Sequence, residues 1–303
     1  MFDRYVNRVR HLARNLRDLD KVLVNQGRIL SRDYAQRSFG DLSEAEFQVF
    51  SQWGEDGIIQ YLVQNLAIEH KKFVEFGVET FVEANCRFLM LKDFWQGLVI
   101  DGSNRNISRI RQSDMHWRHP LHTVEAFISK DNIADLIGDF AADGLGILSV
   151  DIDGVDYFVL EALSGLRPSI VIVEYNGLFG AQAKVSVPYS ADFIRSRAHH
   201  SNIYYGASIA AFDHLLSGWG YALVGGNAAG NNAFFVRRDL LNDKIREVSV
   251  ASAFRETSFS EVRDASGNLT FVRGLDRRAI VADLPLVDVA TGQTLRIADL
   301  PAT

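Results

Sequence analysis

The sequence predicts an α/β fold: a doubly wound, mostly parallel sheet with one reversed strand, preceded by a helical arm and followed by a small β-rich appendage. Three observations carry this. Five buried-strand runs (KFVEFG, GLVIDG, TVEAFIS, GILSV and SIVIVE) alternate with helical segments. The runs YALVGG and NAFFVRR then follow with only a short loop between them, too short for a helical crossover, so these two strands are antiparallel neighbours. Within Gly146–Asn176 two apolar runs finish on acids across a single βαβ unit, which puts those acids together at the sheet edge where open α/β folds build their sites.

Taken in order, residues 1–37 place Tyr5, Val6, Val9, Leu12, Leu16, Leu19, Leu23 and Val24 at helical spacing with arginines between them, which predicts a helical arm or hairpin. Ser51 to Leu66 reads as a helix with a capping serine and with Glu55 and Asp56 in its first turn, where negative charge suits the helix dipole. The first strand is Lys72–Gly77, followed by a helix over Glu83–Phe94. The second is Gly97–Gly102, the third Thr123–Ser129, and a helix over Asp131–Phe140 leads to the fourth. A helix from Gly206 ends in glycine before the terminal strand pair. Beyond Asp239 the runs VRDASGNLTFV and LPLVDVATGQTLRI carry Gly-Asn and Thr-Gly turns between β-prone stretches. The division is therefore a helical arm over 1–46, the main domain over 47–240 and the β-rich appendage over 241–303.

Composition bounds the function. The chain has 303 residues, 47% of them apolar, so it can bury a sizeable core. No apolar run reaches the roughly 18 to 20 residues that cross a bilayer, and the opening MFDRYVNRVRHLARN lacks the apolar centre of a secretion signal, so a cytoplasmic location is expected. The lone Cys86 excludes an internal disulfide and any multi-cysteine metal site. Residues 1–37 hold nine Arg/Lys against four Asp/Glu (+5), which leaves −11 of the net −6 on the rest. An acidic body argues against a nucleic-acid partner and suits a bound cation or a neutral substrate.

Glu75 and Gly77 end the first strand, and Asp101 ends the second. A glycine there lets a ligand approach the backbone, and an acid after the second strand accepts hydrogen bonds from a ribose diol. The loop EFGVETFVEANC has one glycine where dinucleotide binders show Gly-x-Gly-x-x-Gly, and the chain has no Gly-Lys-Ser/Thr phosphate loop. A cofactor with a ribose and no phosphate is preferred, and S-adenosylmethionine meets that description. The fourth strand ends at Asp151, Asp153 and Asp156, the fifth at Glu174 and Asn176. These are the oxygen donors that a hard divalent cation such as Mg²⁺, or Mn²⁺ in its place, takes. Asp151 and Asp153 share a face if the strand runs through both, and Asp156 caps the next helix. DIDGVD follows the fourth strand, whereas a haloacid-dehalogenase-type phosphatase has its Asp-x-Asp-Gly after the first. As a calcium EF-hand it lacks the sixth-position Gly and twelfth-position Glu, which here are Asp156 and Ala162. His199 and His200, in the polar run before the Gly206 helix, are candidates for the base that takes a hydroxyl proton.

The segments FSQWGEDGII, KFVEFGVE, GLVIDGS, AFISKDNI, LSVDIDGVDYFVLEAL, RPSIVIVEYN, YYGAS and GYALVGGNAAGNNAFFVR, in that order over roughly 47–240, resemble class I S-adenosylmethionine-dependent methyltransferases, and within them an FkbM-like group of sugar and small-molecule O-methyltransferases. The resemblance implies a seven-strand sheet of order 3-2-1-4-5-7-6 with the seventh strand antiparallel. It implies Glu75 and Gly77 under the methionine part of the cofactor, Asp101 on the ribose, and Phe127 and Ser129 bordering the adenine. It implies Asp151, with Asp153 beside it, and Glu174 with Asn176 as metal ligands. The expected activity is transfer of a methyl group to a hydroxyl of a sugar, polyketide or other small molecule, assisted by a divalent cation, with Asp151, His199 and His200 as the candidate catalytic residues. The rival readings are a phosphohydrolase built on DIDGVD and a non-catalytic methyltransferase-like binding protein. A small-molecule hydroxyl acceptor is the expected partner, with no nucleic acid and no membrane span, and the basic arm is a candidate for self-association.

Overall fold

The computed structural model describes residues 2–257 and 261–301, with side chains from Leu19 onward. In chain order the elements are α1 (Phe2–Ala35), α2 (Glu55–Asn65), β1 (Lys72–Phe76), α3 (Arg87–Asp93), β2 (Gln96–Asp101), α4 (Asn104–Gln112), α5 (Asp114–Arg118), β3 (Leu121–Glu125), α6 (Ile133–Ala141) and β4 (Ile147–Val150). They continue with α7 (Asp156–Glu161), β5 (Ile170–Glu174), β6 (Val185–Ser186), α8 (Arg195–Ala198), α9 (Ile209–Gly218), β7 (Tyr221–Gly226), β8 (Asn232–Arg237), α10 (Val250–Ala253), α11 (Asp276–Ile280), β9 (Pro285–Asp288) and β10 (Thr294–Arg296).

Seven strands form one sheet of order β3-β2-β1-β4-β5-β8-β7. β8 runs antiparallel to both of its neighbours, and the other pairings are parallel. Because β6 lies outside this sheet, the order is the expected 3-2-1-4-5-7-6. The reason is visible strand by strand. Ile170 and Ile172 enter the core on one face of the sheet while Val171 and Val173 enter the core on the other, and Ile147 and Leu148 divide in the same way. A strand that is apolar at every position is buried on both faces, which only helices on both sides can provide.

Several elements are shorter than the sequence suggests, each for a local reason. β3 stops at Glu125, opposite the last residue of β2, where the chain turns to bring Phe127 and Ile128 over the sheet edge. α3 begins only at Arg87 because Glu75 of β1 reaches across and accepts the N–H groups of Asn85 and Cys86. α2 begins at Glu55, with Gly54 rather than Ser51 in the capping position, while the Ser51 hydroxyl accepts the Asp56 N–H.

The arm is one helix. Leu23, Val24, Leu30 and Tyr34 pack on a small core of Phe47, Val49, Phe50 and Phe88, and Gly27 sits so close to the Phe88 ring that a Cβ there would meet it at 2.6 Å. At the other end of the chain, β9 pairs with both β10 and β6, a strand that follows β5. Val262, Val281, Leu286 and Ile297 join the core on one face of the large sheet. Among the described residues no helix is long and apolar enough to cross a membrane.

Candidate active site

The C-terminal ends of β1, β2, β4 and β5 open into a cavity of about 770 Å³, within the range of small-molecule and cofactor sites. Its first half is built on β1 and β2. Gly77, at φ +65°, lies against the β4 loop, and a Cβ there would come within 2.0 Å of the Asp151 carbonyl oxygen. Glu79 and Phe81, also at positive φ, follow in the loop above it. Glu75 is buried with its two carboxylate oxygens on the N–H groups of Asn85 and Cys86 at 2.7 and 3.0 Å. Burial pushes its carboxyl up to about 7, and those two N–H groups limit the rise. Asp101 is fixed by the N–H groups of Ser103 and Glu79 at 2.8 and 2.9 Å and by the Asn106 amide. Phe127, 52% exposed, stands over this half as a free aromatic face, held by the Asn132 amide on its carbonyl.

The second half is the acid group. Asp151, Asp153 and Glu174 bring carboxylate oxygens within 4.8 Å of one another. Desolvation, then the neighbouring acids, hold Asp151 and Glu174 well above the ordinary carboxylate range, and a hydrogen bond between the two offsets part of this for Asp151. Asp153 does not arrive by strand alternation. β4 ends at Val150, and Asp153 folds back through a left-handed turn at φ +54°. Asp156 turns into the same loop, accepting the N–H groups of Ile152 and Gly154, so it braces the acids instead of adding to them. Burial raises it to about 6.

Four of the sequence-predicted residues are placed elsewhere. Asn176 is spent on structure: its carbonyl caps the turn at Leu178 and its amide donates to the carbonyls of Ile203 and Tyr205, so the fifth strand brings Glu174 alone to the acid group. His199 and His200 stack on each other at 4.1 Å, with His199 Nδ1 on the Ser201 hydroxyl, and neither lines the cavity. Ser129 gives its N–H to Asn132 and also lies off the lining, which Phe127 and Ile128 occupy.

Arg195, which the sequence reading passed over for the adjacent histidines, faces the acids. Its guanidinium bonds Asp153 and the Asn202 carbonyl, and lies 4.1 Å above the Tyr205 ring. The signal that points to it is physical: three acids gathered at a buried edge require a nearby cation. Around the whole cavity, Glu75, Glu79, Glu83, Asp101, Asp151, Asp153, Glu174 and Glu261 face Arg195 as the one basic side chain among the described lining residues. Such a lining attracts cationic ligands and repels phosphates.

No protein-family model matches the chain, and no curated protein matches it. Among solved structures it is similar to the carbon methyltransferase of CurJ, at 10% identity and a TM-score of 0.40 over 60% of this chain and 52% of that one. An O-methyltransferase family protein from Burkholderia thailandensis matches at 8% identity and 0.34, over 72% and 58%. Human N-acetylserotonin methyltransferase in complex with S-adenosylmethionine matches at 14% and 0.33, over 55% and 47%. The chain thus spans about half the length of these structures. Fold-level likeness at this distance assigns no chemistry; the chemistry is read from the cavity.

Proposed function

We propose that the protein is an S-adenosylmethionine-dependent O-methyltransferase of the FkbM-like kind, acting on a hydroxyl of a sugar, polyketide or other small molecule, with its catalytic unit over residues 47–240 and Glu261 of the appendage completing the cavity. The observation that carries this reading is the composition of the cavity at the C-terminal sheet edge, eight carboxyl groups against a single guanidinium among the described lining residues. A sulfonium and an ammonium group are at home there, and a phosphate is not, which also counts against a phosphohydrolase.

Gly77 lets the β1 turn close on the Asp151 carbonyl and so joins the cofactor half to the acids, Asp101 offers its spare lone pairs to the ribose, Phe127 covers the adenine, and Glu75 fixes the loop beneath the methionine end. The cofactor supplies an electrophilic methyl group on a sulfonium. An acceptor oxygen held in line with it would take that carbon with a lone pair as the carbon–sulfur bond broke toward sulfur. The hydroxyl proton would pass to a carboxylate oxygen of the Asp151–Glu174 pair, which lines the cavity. In-line positioning carries most of the acceleration. Asp151, Asp153 and Glu174 form the oxygen donor set that a divalent cation takes, and such an ion, when bound, lowers the pKa of a hydroxyl it ligates.

Calorimetry with S-adenosylhomocysteine, with and without Mg²⁺, tests both parts. Binding is expected, strengthened by Mg²⁺ in the native protein and not in Asp151→Ala. Absence of binding under both conditions removes the methyltransferase reading, and binding indifferent to Mg²⁺ and to Asp151→Ala removes the cation.

A further inference from the structure

At the sheet edge opposite the cavity, where β2 and β3 begin, two aromatic side chains stand in solvent: Phe94 is 69% exposed and Trp117 is 71% exposed. Phe94 closes α3 with a left-handed backbone at φ +58°, the conformation that glycine takes at a helix end and that a residue with a Cβ resists. Burial does not offset that strain, because the ring is exposed. A strained and exposed aromatic residue points to a use outside the packed core.

The two rings belong to one patch. Phe94 stacks on His119 with ring centroids 6.0 Å apart, and His119 closes α5 two residues after Trp117, whose ring lies 4.7 Å from the Arg118 guanidinium. α5 itself buries none of its residues. Beside it α4 turns Ile107 and Ile110 inward and leaves Arg105, Arg109 and Arg111 exposed, the first two one turn apart on the same face. Asp114, paired with Arg118 at 3.5 Å, is the one acid between Gly102 and His122. That stretch, with four Arg against one Asp, carries +3; since residues 38–303 together carry −11, the remainder of the body carries −14.

Two requirements fall on the partner. Its surface must be anionic to answer the arginines, and an apolar medium must lie directly beneath that surface to take the rings. A bilayer of acidic phospholipid meets both, with tryptophan at headgroup level and arginines against the phosphates. A nucleic acid meets the first, but an extended polyanion would run past a patch of this size onto the acidic remainder, whereas a flat surface touches a single face. Docking at this edge also leaves the cavity mouth, at the other ends of the strands, open to small ligands.

We propose that Phe94 and Trp117, with the arginines of α4 and α5, form a docking surface for the headgroup region of an acidic phospholipid bilayer, holding the protein peripherally. Nothing in this docking depends on the chemistry of the cavity.

The test sediments the full chain with vesicles of phosphatidylcholine alone and of an about 2:1 mixture of phosphatidylcholine and phosphatidylglycerol. Binding to the mixed vesicles is expected, with little to phosphatidylcholine, and release as salt rises from about 0.1 M to about 1 M and the Debye length shrinks from about 10 Å to about 3 Å. Arg105→Gln combined with Arg109→Gln should lower the partition coefficient about 25-fold, at about fivefold for each arginine, and Trp117→Ala about tenfold, with Tm unchanged in both. Phe94→Gly separates docking from packing: glycine is at ease at φ +58°, so Tm should hold or rise while vesicle binding falls about tenfold. Sedimentation with neither vesicle, equal sedimentation with both, or binding that survives all three variants, as it would if the basic arm were the anchor, overturns the proposal. So does a fall in Tm for Phe94→Gly, which makes the ring a packing element, or displacement from the vesicles by a single-stranded oligonucleotide at equal phosphate concentration.

Discussion

Gly77→Ala is the most direct probe of how the two halves of the site are joined. The native residue has φ +65°, where an L-residue costs about 1–2 kcal/mol relative to glycine. The added Cβ would lie 2.0 Å from the Asp151 carbonyl oxygen and 3.1 Å from its carbon, so the β1 turn and the β4 loop have to separate by more than 1 Å. Overpacking of this kind costs about 1–3 kcal/mol. Together the two effects predict a loss of about 2–5 kcal/mol, and at roughly 2–4 °C per kcal/mol a fall in Tm of about 4–20 °C. The separation falls on Asp151, so the variant should also lose its Mg²⁺ response before it unfolds. Gly102→Ala is the matched control, since its nearest neighbour is a Phe127 ring carbon at an ordinary 3.6 Å. Thermal denaturation and S-adenosylhomocysteine calorimetry on both variants decide the matter. A Gly77→Ala protein as stable as Gly102→Ala, with an intact Mg²⁺ response, refutes the close-approach argument.

Two further predictions concern buried polar groups. Glu75 has a folded pKa raised from 4.5 to about 7 by burial, so the folded state binds more protons than the unfolded one between these values, and stability falls as pH rises through that window. The shift corresponds to about 3 kcal/mol, and Glu75→Gln, which imitates the protonated form, should make the denaturation midpoint fall less steeply between pH 5 and 8, the rest of the slope coming from the other raised acids such as Asp56 and Asp156; an unchanged pH slope counts against the assignment. Asn176→Ala removes a cap and two buried amide bonds and should cost about 1–3 kcal/mol in urea unfolding, with Mg²⁺ and cofactor affinities unaltered. Loss of Mg²⁺ affinity at native stability would instead make Asn176 a ligand.

What could be read from the chain was set by how local its causes are. The sheet was legible because β4 and β5 are apolar at nearly every position, a pattern that only a doubly covered parallel strand satisfies. The short loop before β8 then fixed the reversed strand. Asp101, Asp151 and Glu174 were legible as the acids that end those strands. Asp153 was legible as a residue but not as a geometry, because its approach depends on a left-handed turn that sequence alternation does not encode. Asn176 misled for the opposite reason. An amide beyond a strand end looks the same in sequence whether it faces a ligand or, as here, ties down the carbonyls of Ile203 and Tyr205 from a segment 27 and 29 residues away.

Arg195 and Glu261 belong to the class that no local pattern reveals. Each comes from a distant connection, after β5 and after β8, and meets the β4 loop only in the folded chain. Their placement still follows a rule that operates on the whole site. Half-buried Asp151 and buried Glu174 lie beside Asp153, and bringing like charges together out of water costs several kcal/mol unless a cation or a proton offsets them. Arg195 supplies part of that offset by bonding one oxygen of Asp153, the most exposed of the three acids. Asp153, though held by Arg195 through one oxygen, thus still stands in the same donor set as Asp151 and Glu174.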